Sequence, residues 1–245
     1  MIRLALLSIA LGYFCSGVLA AEPADADRPV LRTGFVEFPP FKYADEQGEA
    51  SGPWVEMTEK VAEQAGYRLD WVHLPIARVY LYLKTGQIDL WPGVAGLPML
   101  ANHVVESQST PMRVVLYAYH ESTDPAPDDL EFLEGKRLIL IKGFSYLGVL
   151  ESLNLADKDL SRAPDHETAL RMLELDRGQY LLDYDAPVEA ELHKFPDMDV
   201  KGTPIFSARG ALVVSKKYPD ARELSEKLDA AYHSLAEDGV LEPLF

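Results

Sequence analysis

The residues of this chain whose types could do chemistry are six histidines, one serine in a glycine-rich turn, and a few aromatic and charged side chains beside prolines. His73, His103, His120, His166, His193 and His233 stand singly, and no two fall at the i, i+4 spacing that sets both imidazoles on one helical face. The single cysteine is Cys15, so zinc has no ligand set, and neither a metal nor a cofactor is expected. A phosphate-cradling loop ending in Lys-Ser/Thr is missing, and no Gly-x-Gly-x-x-Gly run follows a strand. Gly143-Phe144-Ser145-Tyr146-Leu147-Gly148 places a serine after a strand and turn, but its second glycine lies one position too far for a nucleophile elbow. Ser145 reads instead as opening a helix, its hydroxyl bonding the first free N–H groups or meeting an anionic group that rests there. With no catalytic constellation, the chain is read as a binding protein rather than an enzyme.

The elements that must position these residues follow from periodicity. Val30 to Val36 reads as a strand feeding the Pro39-Pro40 loop. From Pro53, apolar Trp54, Met57, Val61 and Ala65 recur at helical spacing, and Gly66 stands where a helix ends. Tyr67 to Leu74 alternates as a strand, Ala77 to Lys84 as a helix closed by Gly86, and Ile88 to Trp91 as a short strand. This is βαβαβ, which predicts a parallel sheet wrapped by helices. After the proline- and acid-rich stretch 121–129 the pattern restarts with a strand at Arg137–Ile141, a helix from Ser145, and a helix capped by Asp165 and ended by Gly178. The strand Tyr180–Tyr184 follows. A last helix, Ala221 to Asp238, carries Leu224, Leu228, Ala231 and Leu235 on one face and needs a preformed core.

Of 245 residues, 23 are basic and 39 acidic, for a net charge of −16 with 48% hydrophobic residues. Folded globular structure is expected, and nucleic acid and anionic membranes are poor partners because no basic run exceeds Lys216-Lys217. Residues 1–20 have one early Arg, an apolar stretch from Leu4 to Phe14 and small residues up to Ala20, the pattern of a cleavable secretory signal. Cleavage there leaves no cysteine, so the exported chain holds itself by its core alone, which favours the periplasm.

Read in order, Phe38-Pro39-Pro40-Phe41, Gly52-Pro53-Trp54, Leu83-Lys84-Thr85-Gly86-Gln87-Ile88-Asp89, Lys142-Gly143-Phe144-Ser145-Tyr146 and Asp185-Ala186-Pro187 form a recognisable series. The series, with the closing helix ending Asp238-Gly239, resembles family 3 of the bacterial extracellular solute-binding proteins, the amino-acid-type partners of ABC importers. The resemblance implies a two-lobed periplasmic-binding-protein-like fold of type II, two parallel-sheet α/β lobes joined by two crossover strands. The crossovers are expected near Val115–His120 and Pro204–Arg209. Lobe 1 then comprises 28–118 with 209–245, and lobe 2 comprises 119–208. Ligand is held between lobes that close on it, in keeping with sites at the C-terminal ends of parallel strands.

On that resemblance Phe38 faces the cleft with Phe41 packed inward, its ring offering apolar area and a negative face. Glu37 either meets a cationic ligand group or is solvated. Asp185 matches the acid that holds a ligand ammonium group, or else caps the helix at Pro187, and Asp183 shares either role. Arg78 either clamps a carboxylate or bridges to Asp89. Trp91, at the head of the stretch running through Gly93 to Ala101, either lines the cleft or packs in the core. That stretch departs from the amino-acid binders, which carry small hydroxyl residues and then a carboxylate-gripping Arg; Ala101 cannot replace it. The site is therefore expected at Glu37, Phe38, Arg78, Trp91, Gly93, Ser145 and Asp185. The ligand is expected to be small and polar, tilted toward a cationic, zwitterionic or neutral stacking molecule. The chain is expected to act as a monomer that hands ligand to a membrane permease or docks on a sensor kinase. A dehydratase-like enzyme on the same fold is a further alternative.

Overall fold

The computed structural model describes residues 28–109, 111–242 and 244; the proposed leader, 1–20, lies outside the described residues. The first lobe is built on β1 (Val30–Phe35), the helix α1 (Pro53–Gln64), β4 (Arg68–His73), α2 (Ile76–Thr85) and β5 (Leu90–Val94), with a small hairpin of β2 (Tyr43–Ala44) and β3 (Ala50–Ser51) between β1 and α1. β1 lies between β4 and β5, parallel to both. The acid of the Gly86-Gln87-Ile88-Asp89 step is structural: Asp89 receives the Arg32 backbone N–H at 2.9 Å and the guanidinium at 2.6 and 3.0 Å, and Arg32 also donates to the Gly86 carbonyl at 2.7 Å. That fork locks the turn after α2 to β1. The alternative pairing of Asp89 with Arg78 is not formed.

The second lobe repeats the order. β8 (Leu138–Ile141), β9 (Leu160–Ala163), α3 (His166–Glu174), β10 (Tyr180–Tyr184) and α4 (Asp185–Leu192) follow in sequence, and β8 lies between β9 and β10, parallel to both. Asp165 caps α3 as predicted, accepting the Thr168 N–H at 2.7 Å. α3 stops at Glu174, earlier than Gly178, because Asp176 takes a left-handed φ of 51°. The helix predicted from Ser145 is instead 3-10 in form over Tyr146–Ser152, and Ser145 makes no side-chain cap. Tyr146 at φ 47° and Gly148 at φ 76° are incompatible with a regular α-helix there.

Two long strands join the lobes. β7 (Arg113–Glu121) and β11 (Val200–Ser215) pair antiparallel from Val200 opposite Glu121 to Arg209 opposite Arg113. β7 also borders β10, whereas the far end of β11 borders β5 and the short β6 (Val104–Glu106). The last helix, α5 (Ala221–Glu237), returns to the first lobe. Its Leu224, Leu228, Ala231 and Tyr232 pack with Met57 and Val61 of α1 and with Leu212 and Val214 of β11. Asp229 of α5 accepts the backbone N–H groups of Gln108 and Ser109, both at 2.8 Å, tying the helix to the segment that leads into β7. Among the described residues no helix is long and apolar enough to cross a membrane.

Leu228 is fully buried between α1 and the sheet. Leu228→Ala is expected to lower unfolding stability by about 2–5 kcal/mol, from lost transfer energy plus a residual cavity. A urea melt checks this; a change below about 0.5 kcal/mol would show that α5 is not docked as described.

Candidate functional site

A cavity of about 350 Å3 opens where the two sets of parallel strands point at one another. Val36, Glu37 and Phe38 follow β1, His73 ends β4 with Leu74 to Ile76 after it, Trp91, Gly93 and Val94 lie in β5, Lys142 to Ser145 follow β8, and Tyr184 ends β10; all line it. In each lobe the strand order is second, first, third, so the first and third strands diverge their connections to opposite faces and leave a crevice at their C-terminal ends. The size is at the small end of ligand pockets.

The walls are aromatic. Phe38 meets Tyr184 edge-on at 5.1 Å between centroids, and Tyr184 meets Phe144 at 5.8 Å. Tyr80 stands edge-on to Trp91 at 5.7 Å. Phe41 stacks behind Phe38 at 5.8 Å without lining the cavity. Two of these contacts span the lobes: Phe38 against Tyr184, and the Tyr80 hydroxyl with the Ser145 hydroxyl at 3.2 Å. Burial raises the Tyr184 and Tyr80 phenols above their ordinary range, so both stay protonated donors at neutral pH.

The residue that sequence reasoning missed is Lys42. A lysine in a polar loop is ordinarily solvated, yet this one is 2% exposed and lines the cavity. Its Nζ donates to the Pro92 carbonyl at 2.5 Å and stands over the rings of Trp54 at 4.3 Å and Trp91 at 5.6 Å. Local structure puts it there. The Phe38 and Lys42 backbones exchange hydrogen bonds at 2.8 and 3.1 Å, and the Trp54 N–H bonds the Phe41 carbonyl at 2.9 Å. That approach requires glycine before the helix, because a Cβ on Gly52, whose φ is 111°, would lie 2.6 Å from the Phe41 oxygen. Gly93 is a second forced glycine: its Cβ would fall 2.2 Å from the Trp91 ring. Pro92 lacks an N–H, but Leu212 opposite it turns its own N–H and C=O to Ser107, so no ladder bond is lost and the Pro92 carbonyl is left for Lys42. Burial pulls the Lys42 ammonium down to about 7. Among the described residues the only carboxylate on the wall is Glu37, which is exposed; it faces His73 at 3.2 Å and accepts the Ala44 N–H at 3.1 Å. The indole N–H groups of Trp54 and Trp91 are buried without an acceptor.

Of the residues singled out in the sequence, Glu37, Phe38, Trp91, Gly93 and Ser145 come together on the cavity wall; Arg78 and Asp185 do not. Arg78 is exposed in the first turn of α2 and, among the described residues, forms no ion pair. Asp185 is exposed because β10 runs straight into α4: the last strand residue, Tyr184, points to the cavity and Asp185 opens the helix, its carboxylate accepting the Ala186 N–H at 2.8 Å. Asp183 is fully buried, held by His166 at 2.6 Å and by the Tyr184 N–H at 2.8 Å. Burial pulls the His166 imidazolium down, but the Asp183 bond and charge outweigh that and leave it above its ordinary value. No group of three or more metal-ligating side chains occurs among the described residues.

Residues 31–245 match the model of the bacterial extracellular solute-binding proteins, family 3. The chain belongs to this family. No curated protein matches it. Among solved structures, a histidine kinase sensor domain with similarity to periplasmic binding proteins is similar at TM-score 0.67 and 21% identity, over 88% of this chain and 93% of that one. An ancestral arginine-binding protein bound to arginine is similar at TM-score 0.64 and 21% identity, over 87% and 95%. The GluR0 ligand-binding core with L-glutamate is similar at TM-score 0.66 and 14% identity, over 87% and 95%. The fold of this family 3 protein is therefore the two-lobed, type II periplasmic-binding-protein-like α/β fold.

The buried ammonium gives this solute-binding protein a pH signature. Between about pH 7 and the unfolded lysine value near 10.4, the unfolded chain holds the proton and the folded chain does not, so stability from this group rises with pH by up to about 1.4 kcal/mol per unit. Without ligand, Lys42→Met is expected to be more stable than the parent chain at pH 7, with the gap closing toward pH 10. Urea melts across that range check it; a gap that does not change with pH would contradict a desolvated Lys42.

Proposed function

We propose that this protein captures a small solute between its lobes in the periplasm and delivers it to a membrane partner, without chemical turnover. The observation that carries the reading is the convergence of the C-terminal ends of both parallel strand sets on one small aromatic-walled cavity. Phe38, Trp91, Gly93, Ser145, Tyr184 and Lys42 form the contact surface, and Glu37 lies at its edge. Membership of an extracellular solute-binding family and the secretory pattern of residues 1–20 support the periplasm. The contacts that span the lobes, Phe38 with Tyr184 and Tyr80 with Ser145, support closure around a ligand, since each would break on opening.

For the partner, a permease of an ABC importer is the first reading. A second, docking on a membrane kinase as a sensing subunit, is favoured by the similarity to a histidine kinase sensor domain. Crosslinking in intact cells separates the two: recovery with a permease supports import, and recovery with a kinase supports sensing.

The expected result of thermal unfolding against amino acids, polyamines, sugars and small organic acids is at least one stabilising solute. A ligand at about a hundred times its Kd adds about 2.7 kcal/mol, which raises the midpoint by roughly 5–11 °C for a chain of this size. Phe38→Ala should weaken that solute by about tenfold or more, as loss of a buried aromatic contact does. A flat response across all classes would overturn solute capture.

A further inference from the structure

The geometry points to a small organic acid, apolar and flat outside its carboxylate and lacking an ammonium group, as the solute, with Lys42 taking the carboxylate. The inference deepens the reading of the cavity as a solute site and rests on it.

The first argument is the imbalance of donors and acceptors on the wall. Lys42 offers three N–H groups and spends one on the Pro92 carbonyl. Trp54 and Trp91 flank it and present their rings to the cavity, with their indole N–H groups closed off from it. Lys142 adds a second cation. Against these stands, among the described residues, one wall carboxylate, Glu37, already facing His73 and the Ala44 N–H. Buried donors left unpaired are costly, and an acceptor-rich group at the cavity end of Lys42 satisfies those the amine has left. The molecule as a whole carries a net charge of −16, so this local excess of donors and positive charge runs against the rest of the chain.

The second argument is what the cavity lacks. An α-amino acid needs an acceptor for its ammonium group, and no acid of β10 or α4 lines the cavity to supply one. Asp183 is fully buried and engaged by His166 and the Tyr184 N–H, and Asp185 bonds Ala186 outside the lining. The third is shape. Phe38, Trp54, Tyr80, Trp91, Phe144 and Tyr184 enclose about 350 Å3, and their ring faces and edges suit a single flat ring. The tilt toward a cationic ligand that Asp185 and Glu37 suggest in the sequence is thereby reversed.

The test is calorimetric titration of the purified protein with benzoate, phenylacetate and indole-3-acetate, set against benzamide, phenylalanine and arginine. Tighter binding of at least one acid than of its uncharged or amino-bearing counterparts is expected. Lys42→Met is expected to weaken that acid by about ten- to a hundredfold, the usual worth of a hydrogen bond to a charged group, while the ligand-free protein stays folded. Should Lys42→Met not fold, Lys42→Gln carries the same readout, and the comparison of acid with amide in the parent chain stands without any variant. Binding of phenylalanine, arginine or benzamide as tightly as the acids, or an acid affinity unmoved by Lys42→Met, would overturn the assignment and leave solute capture intact. Failure of every solute, acids included, in both titration and thermal unfolding would overturn solute capture itself.

Discussion

An ammonium group placed in a protein interior without a carboxylate is costly, and the cavity between the lobes of this protein is organised around one. Lys42 keeps a hydrogen bond to a single carbonyl and the faces of two indoles, and those contacts offset part of its desolvation. The surrounding chain is shaped to make them. Gly52 lets the start of α1 approach the Phe41–Lys42 backbone closely enough to bring Trp54 under the amine, Pro92 presents its carbonyl from a strand position where no N–H is needed, and Gly93 leaves room for the Trp91 ring. The proposed anion contact would offset the rest of that cost.

The rest of the fold brings that first-lobe constellation to face the second. Both lobes repeat a three-stranded parallel arrangement with the first strand in the middle, and the antiparallel pair β7 and β11 passes between them. Because those two strands are hydrogen-bonded to each other along nine residue pairs, the lobes are linked by a short ribbon rather than a loose tether. Among the described residues the ring and hydrogen-bond contacts across the cavity are an aromatic edge and one hydroxyl pair. Stiff lobes, a two-strand link and a lightly bonded mouth are what hinge closure requires. Anchoring α5 to the first lobe through Leu228 and Asp229 keeps the segment before β7 from moving with the second lobe.

Much of this architecture is legible in the sequence wherever one face of an element is buried. The apolar spacing from Trp54 to Val61 and from Leu224 to Leu235 marks α1 and α5, and the buried run Tyr180–Tyr184 marks β10, because burial imposes a period on the residues that experience it. Phe38, Trp91 and Gly93 reach the cavity for a related reason, since they flank strand ends that the topology aims inward. Asp185 reads from the sequence as a site residue and lies outside the cavity because one residue of shift at a strand end changes the direction of a side chain, and helix α4 begins at that residue. The helix at Ser145 is overread because the left-handed backbone of Tyr146 has no signature in residue type. Lys42 is invisible for a deeper reason. Its burial depends on residues 42, 54 and 91–92 meeting in space, and no local pattern in any of the three segments records the others.

A crystal structure of the protein grown with phenylacetate would show whether the cavity between the lobes holds a solute through an anion contact at Lys42. The carboxylate is expected within hydrogen-bond distance of Lys42 Nζ, about 2.7–2.9 Å, with the ring enclosed by Phe38, Trp91 and Tyr184. A ligand seated elsewhere, or one in this cavity with its carboxylate turned to solvent and Lys42 bonded only to Pro92, would contradict that contact.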